Sequence, residues 1–261
     1  MRVIATTTQS RTDLSPELQA FLRETGIEFV PRGKKSLAKI KKEKDAEGIV
    51  IWQEEGPVLY IDEKTRFYFH PSMAKVRISN YRKFNQPDPM IQAMELEEDD
   101  KVLDCTLGLG ADAIVASYFA SQGRIVGLEY SPLVASIIKW GMKMYRTPVD
   151  WLDRAIKRIE VVNVDYREYL SSLKDNSFDI VYFDPMFRKP ILKSQAISPL
   201  RLLACLEPVA EESLREALRV ARKKVVMKEL YASGELKRLG FTKIVGSPNN
   251  KIAYGVIEKK H

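Results

Sequence analysis

The sequence predicts a doubly wound α/β protein: a mostly parallel sheet with helices on both faces, closed by an antiparallel hairpin and preceded by a smaller N-terminal α/β domain. Three observations carry this. Val102-Leu-Asp-Cys-Thr-Leu-Gly-Leu-Gly-Ala-Asp112 has the pattern of a strand that runs into a glycine loop and then a helix. Tyr182-Phe-Asp-Pro-Met-Phe187 has the pattern of a strand that ends in an acidic, Pro, apolar, aromatic tip. Around them strand-like and helix-like patterns alternate, and a βαβα series means a parallel sheet.

Taken in order, Arg2-Val-Ile-Ala reads as an opening strand. Ser15 is placed to cap a helix with Pro16 at its first position and Gly26 just past its end. Ile27-Glu-Phe-Val reads as a strand, Ser36 to Lys44 as a strongly basic helix, and Gly48 to Trp52, Val58 to Ile61 and Arg66 to His70 as β-rich runs split by turn residues. Asn85-Gln-Pro-Asp-Pro is the joint, which divides the chain into residues 1–85 and 86–261. Asp88 then caps a helix through Met90 to Leu96. Strands are expected at 101–105, 124–129, 159–163, 178–183 and 224–228, with helices at 112–122, 132–145, 166–173 and 209–222 between them. Phe241 to Gly246 and Ile252 to Glu258 form the last strand pair, joined by Ser247-Pro-Asn-Asn.

Bulk properties exclude several classes of function. No apolar run approaches the ~18 residues that cross a bilayer. The N-terminus turns polar within a few residues, which predicts a cytoplasmic protein with no membrane contact. Cys105 and Cys205 are too few for a disulfide framework or zinc site, and of the two histidines His261 is terminal. A metal centre or a Ser-His-Asp triad would rest on His70 alone, so no metal is expected. The net charge of +7 points mildly to an anionic partner, and about +5 of it lies in residues 1–85.

In such a sheet, ligands bind beyond the carboxyl ends of the strands where the strand order reverses. Asp104 ends the first strand of the alternating series. Gly108 and Gly110 let the backbone turn and approach a ligand, and helix amides near Ala111 and Asp112 can donate to it. Glu129 ends the next strand, where a carboxylate suits a ribose. The glycine loop alone leaves a dinucleotide site open, since Gly108-Leu-Gly110-Ala-Asp-Ala113 fits the relaxed fingerprint. Asp104 counts against it: a carboxylate there repels a pyrophosphate and attracts a methionine ammonium. Asp165 either accepts from an adenine amine, with Tyr166 beside the ring, or caps the following helix; the two roles are compatible.

The tip suits a planar, amine-bearing substrate. A base amine is a poor nucleophile because its lone pair is delocalised into the ring. Acceptors on its two hydrogens, here the Asp184 carboxylate and the Pro185 carbonyl, free that lone pair. Phe187 can stack on the base and Met186 adds an apolar contact. Arg188 and Lys189, with Arg201 in the same connection, suit phosphates nearby. Loop and tip together point to methyl transfer from S-adenosylmethionine to an exocyclic base amine.

Asp104-x-Thr106-x-Gly108-Leu-Gly110-x-Asp112-Ala113, Leu128-Glu129 and Phe183-Asp184-Pro185-Met186-Phe187 resemble the small-subunit ribosomal RNA guanine-N2 methyltransferases and the methyltransferases grouped with them. The resemblance covers roughly residues 86–230. Asp-Pro-Met-Phe is its distinctive part. It implies a Rossmann-like class I methyltransferase fold, an RNA substrate, and cofactor contacts at Ala111, Asp112, Glu129, Tyr130, Asp165, Tyr166 and Asp184. The chain departs from the family pattern at Ala111, where a basic residue is frequent, and at Arg188-Lys189, where Pro-His is frequent. Its first 85 residues look like a different N-terminal region.

Within that region Arg32 to Lys44 holds seven basic residues, with Leu37 and Ile40 spaced to face a core. This face either binds RNA phosphate or is a solvated helix surface. Rival readings are a DNA or small-molecule amine methyltransferase, a non-catalytic RNA-binding protein that keeps the fold, and a nicotinamide-dependent oxidoreductase.

Overall fold

The computed structural model describes residues 1–9, 14–62, 65–186, 203, 207–246 and 251–259. Two sheets organise the chain. The first has five strands: β1 (Val3–Thr7), β2 (Glu28–Phe29), β3 (Gly48–Gln53), β4 (Gly56–Tyr60) and β5 (Arg66–Phe67), in the order β2-β1-β3-β4-β5. β1 runs parallel to both neighbours, and β3-β4-β5 form an antiparallel meander. Helix α1 (Pro16–Thr25) starts and stops at the signals in its sequence. The Ser15 hydroxyl accepts from the Leu18 amide at 3.2 Å, and Gly26, at φ 64°, closes onto the Leu22 carbonyl. Helix α2 (Leu37–Glu43) is the basic one. It buries Ile40 in a small core with Val30, Ile49 and Ile51, while Lys34, Lys39 and Lys42 face solvent.

Helices α3 (Ser72–Phe84) and α4 (Pro89–Met94) lead into the second sheet. It has seven strands: β6 (Lys101–Asp104), β7 (Arg124–Glu129), β8 (Ile159–Asn163), β9 (Phe178–Phe183), β10 (Ala221–Leu230), β11 (Lys243–Val245) and β12 (Ile252–Glu258). Their order is β11-β12-β10-β9-β6-β7-β8. β8 through β10 are parallel; β12 lies antiparallel between β10 and β11. The crossovers carry α5 (Ala111–Phe119), α6 (Pro132–Met144), α7 (Asp150–Lys157), α8 (Tyr166–Ser172) and α9 (Glu211–Val220), and α10 (Glu235–Arg238) precedes β11. The order reverses between β6 and β9. The connection after β6 leads away to β7 and that after β9 to β10, so a crevice opens at their carboxyl ends.

The expected strands are present, and the closing pair is antiparallel as anticipated. The turn Ser247 to Asn250 lies outside the described residues. Among the described residues three helices are additional: α3, α7 and α10. α7 is short but clearly amphipathic: Leu152, Ala155 and Ile156, at i, i+3 and i+4, form its buried face, a pattern present in the sequence that sequence reasoning missed, and the helix runs almost directly into β8. α9 ends at Val220 and β10 begins at the next residue, so the expected helix through Arg222 overshoots.

The two sheets share one apolar core. Trp52 of β3 packs 5.3 Å from Phe21 of α1 and 5.7 Å from Trp140 of α6, ring centroid to ring centroid. Trp140 Nε1 donates to Glu24 Oε2 at 3.0 Å, which satisfies its one polar atom. Gly141 beside it faces Phe69, in the segment that enters α3; a Cβ there would overlap Phe69 Cβ. Alanine normally improves a helix over glycine. Here Gly141→Ala is expected to destabilise instead, by about 1–3 kcal/mol from overpacking. Thermal unfolding checks this, at about 2–4 °C of Tm per kcal/mol for a chain of this size.

Candidate active site

The crevice is built from the ends of β6, β7, β9 and β10. Asp104 closes β6 and is 3% exposed. The loop after it is stitched to both neighbouring strands. The Cys105 amide donates to the Tyr182 carbonyl at 2.9 Å, and the Leu107 amide to the Leu128 carbonyl at 2.9 Å. The Thr106 amide donates to Asp104 Oδ1 at 3.0 Å. Gly110, at φ 74°, turns the chain into α5 in a conformation that L side chains rarely adopt, and a Cβ there would overlap Met142 of α6. The amides of Ala111, Asp112 and Ala113 head the helix and have no partner within it.

Glu129 ends β7 and folds back on the loop. Its Oε2 accepts from the Gly108 amide at 3.2 Å, and its Oε1 from the Ser131 amide at 2.9 Å. Burial raises its pKa, partly offset by these donors. Asn163, at the end of β8, donates to the carbonyls of Glu129 at 2.8 Å and Tyr130 at 3.1 Å, which fixes this strand end. Tyr130 is exposed beside it. Asp165 caps α8 through the Arg167 amide at 2.8 Å, and the Arg167 guanidinium holds its carboxylate below the usual range. Tyr166 sets its ring edge on Phe183 of β9 at 5.4 Å.

Asp184 follows β9 directly. Its amide donates to Thr106 Oγ1 at 2.5 Å, so the tip is tied to the glycine loop. Its carboxylate accepts from Lys228 Nζ of β10 at 2.7 Å. The same ammonium reaches Asp112 Oδ2 at 3.0 Å, and that oxygen also accepts from the Tyr182 hydroxyl at 2.8 Å. Asp112 Oδ1 pairs with Arg77 of α3. The Arg77 fork holds Asp88 at 2.8 and 2.9 Å, while Asp88 caps α4. Burial would lift the Asp112 pKa, but Lys228 and Arg77 outweigh it and hold the carboxylate ionised. Asp184 is pushed up to about 6: burial and the Asp112 charge raise it, and Lys228 opposes them. Asp104, to which no cation is bonded among the described residues, is pushed up to about 8 by burial.

Asp104, Gly108, Gly110, Asp112, Glu129 and Asp184 therefore converge on one crevice, with Asp165 and Tyr166 at the next strand end. Pro185 and Met186 are partly exposed beside Asp184. Phe187, Arg188, Lys189 and Arg201 lie outside the described residues. Sequence reasoning missed Lys228, Arg77, Tyr182 and the pinning role of Thr106. Lys228 left a signal: a lysine that ends the apolar run Val225-Val-Met in an interior strand faces the carboxyl edge. Arg77 left none.

The donor set fits one kind of cofactor. Three carboxylates, Asp88, Asp112 and Asp184, share two cations, Arg77 and Lys228, and a fourth acid, Asp104, is kept protonated by burial until a cation is brought beside it. Such a site favours a ligand that brings positive charge and disfavours a pyrophosphate. S-adenosylmethionine carries a sulfonium and an ammonium.

The fold is that of the Rossmann-like methyltransferases. A SAM-dependent methyltransferase of Neisseria gonorrhoeae superposes with a TM-score of 0.66 over 98% of this chain and 96% of that one, at 17% identity. Residues 38–243 match the family described as "Putative SAM-dependent methyltransferase", and the chain belongs to that family. It is 37% identical over 237 residues to the YpiP protein of Bacillus subtilis, covering 90% of this chain and 91% of that protein. Ribosomal RNA small subunit methyltransferase J of Coxiella burnetii is 33% identical over 138 residues, 52% of each chain. The match thus spans about half the length of that relative. The protein is a SAM-dependent methyltransferase, with S-adenosylmethionine as its cofactor. Among the described residues, no helix is long and apolar enough to cross a membrane.

The buried Asp104 gives a pH signature without cofactor. Its folded pKa, about 8, lies above its unfolded value. The stability it contributes is therefore complete below the unfolded pKa, near about 4, and lost as pH rises through about 8. Asp104→Asn keeps the acceptor for the Thr106 amide and removes the titration. Its Tm is expected to exceed that of the unsubstituted protein at pH 8, with the gap shrinking towards pH 5. Thermal unfolding across that range checks this.

Proposed function

We propose that the protein methylates an exocyclic amine of a base in RNA, with guanine in ribosomal RNA as the target. The observation that carries this reading is the Asp184 to Met186 tip, tied through Thr106 to the cofactor loop. The name of the Coxiella burnetii relative supports a ribosomal RNA substrate.

The residues divide by role. Asp104 faces the cofactor's ammonium, Glu129 its ribose, and Asp165 with Tyr130 and Tyr166 its adenine. Gly108 and Gly110 let the backbone approach. Ala111 and Asp112 contribute amides at the head of α5, because the Asp112 side chain is occupied by Arg77, Lys228 and Tyr182. When bound, S-adenosylmethionine supplies a methyl group made electrophilic by its sulfonium.

The Asp184 carboxylate and the Pro185 carbonyl accept the two amine hydrogens and free the lone pair for attack. Lys228 bonds Asp184 Oδ2, and in this reading the amine hydrogen goes to the other carboxylate oxygen. The lysine also keeps that carboxylate charged near neutral pH, as an acceptor must be. No strong general base is needed, since the amine sheds its proton readily after transfer. Phe187 stacks on the base, Met186 packs against it, and Arg188 and Lys189 meet phosphate.

The test is mass spectrometry of ribosomal RNA nucleosides from a strain that lacks the gene. The expected result is loss of one methylguanosine, restored by the intact gene but not by Asp184→Ala, with the variant still folded and binding S-adenosylmethionine. An unchanged nucleoside profile would overturn the ribosomal RNA assignment. Restoration by Asp184→Ala would overturn the role of the tip.

A further inference from the structure

Arg77 lies in the segment that leads from the first sheet to the second, before the joint at Asn85, yet its guanidinium reaches the crevice. Its Nε and Nη2 donate to Asp88 Oδ2 and Oδ1 at 2.8 and 2.9 Å. Asp88 Oδ1 in turn caps α4 through the amides of Met90 at 3.0 Å and Ile91 at 3.3 Å. Nη2 also lies 3.7 Å from Met90 Sδ. The start of α4 thus holds the fork in one orientation, and that orientation aims Nη1 at Asp112 Oδ1. A lysine has no such fork and could not hold both carboxylates in fixed geometry.

The consequence for the tip follows from how Asp112 is shared. Its Oδ1 takes Arg77, and its Oδ2 takes Lys228 at 3.0 Å and the Tyr182 hydroxyl at 2.8 Å. Lys228 is itself divided, since it also holds Asp184 at 2.7 Å. With Oδ1 bare, a buried carboxylate would lose one of its two cations and draw the Lys228 ammonium away from Asp184. Asp112 would keep the lysine and the tyrosine, so the proton that the cluster then takes up would go to Asp184. The other ionisable groups around the cluster are Asp104 of β6, Tyr182 of β9 and Tyr254 of β12, and none of these three is a cation.

We infer that Arg77 is a positioning residue for methyl transfer: by taking one oxygen of Asp112 it leaves Lys228 on Asp184, so the tip is completed by a side chain from the N-terminal side of the joint. Arg77 acts through Asp112 and Lys228 and touches neither substrate nor cofactor. The inference rests on the proposed transfer to an RNA base amine held by Asp184. It also gives the link between the two sheets a chemical role besides a mechanical one.

The test compares the intact protein with Arg77→Met. One readout is kcat against pH at saturating S-adenosylmethionine and ribosomal RNA from the gene-deleted strain, which reports groups in the bound complex. The other is the NMR titration of the Asp184 carboxyl carbon without substrate, with a midpoint near 6 in the intact protein. In Arg77→Met the acid limb of kcat and the Asp184 midpoint are expected to rise together by about one unit, with kcat returning towards the intact value at alkaline pH and cofactor affinity retained. A merely structural arginine would lower kcat by the same factor at every pH. That result, or an Asp184 midpoint that stays in place or falls, would overturn the inference. Should Arg77→Met not fold, Tyr182→Phe removes another donor from Asp112 at nearly constant shape. The expected shift is in the same direction and smaller, and no shift would again overturn the inference. An intact protein that binds cofactor but methylates no RNA would remove the substrate reading, and the Asp184 titration would then decide the role of Arg77 alone.

Discussion

Lys228 reaches from β10 to two carboxylates, Asp184 after β9 and Asp112 at the head of α5. Without its charge, three buried or half-buried acids, Asp104, Asp112 and Asp184, would share the crevice with only Arg77 to offset them. Carboxylates so placed neutralise by taking up protons. A protonated Asp184 is a donor at the position where the proposed chemistry needs an acceptor. One ammonium thus decides the protonation state of the tip, and Arg77 allows Lys228 to serve both acids by taking the other oxygen of Asp112. The surplus of negative charge that remains suits a cofactor with cationic groups.

The rest of the fold holds that cluster in register. The strand reversal between β6 and β9 brings Asp104 and Asp184 side by side, and the Thr106 hydroxyl ties the tip to the loop. The N-terminal sheet contributes from a distance. Trp52 on Trp140 fixes it to α6, and the segment beyond Phe69, seated on Gly141, delivers α3 and its arginine. The first sheet is in this sense part of the active-site scaffold.

The parallel core, the glycine loop and the Asp184 tip were legible in the sequence because each has a local signature: strand periodicity, a turn that only glycine adopts at Gly110, and an Asp-Pro break after an apolar strand. The ion cluster was not, because its members are brought together only by the fold. Asp88 reads as a helix cap and is one, but its partner Arg77 lies on the preceding helix, whose pattern is obscured by the exposed Met73, Val76 and Phe84. Thr106 looks like a loop residue until β9 is laid beside it. Asp165 shows how one carboxylate serves a local need, capping α8, while standing at a strand end where a ligand is also expected.

The most direct measurement is the titration of the Asp184 carboxyl carbon by NMR in aspartate-labelled protein, beside Lys228→Met. The expected midpoint is near 6 in the intact protein, moving upward when the lysine is removed, because a lost neighbouring cation favours the protonated acid. A midpoint in Lys228→Met that stays the same or falls would show that Lys228 does not govern the charge on Asp184, and would contradict the ion cluster as the organising feature of the site.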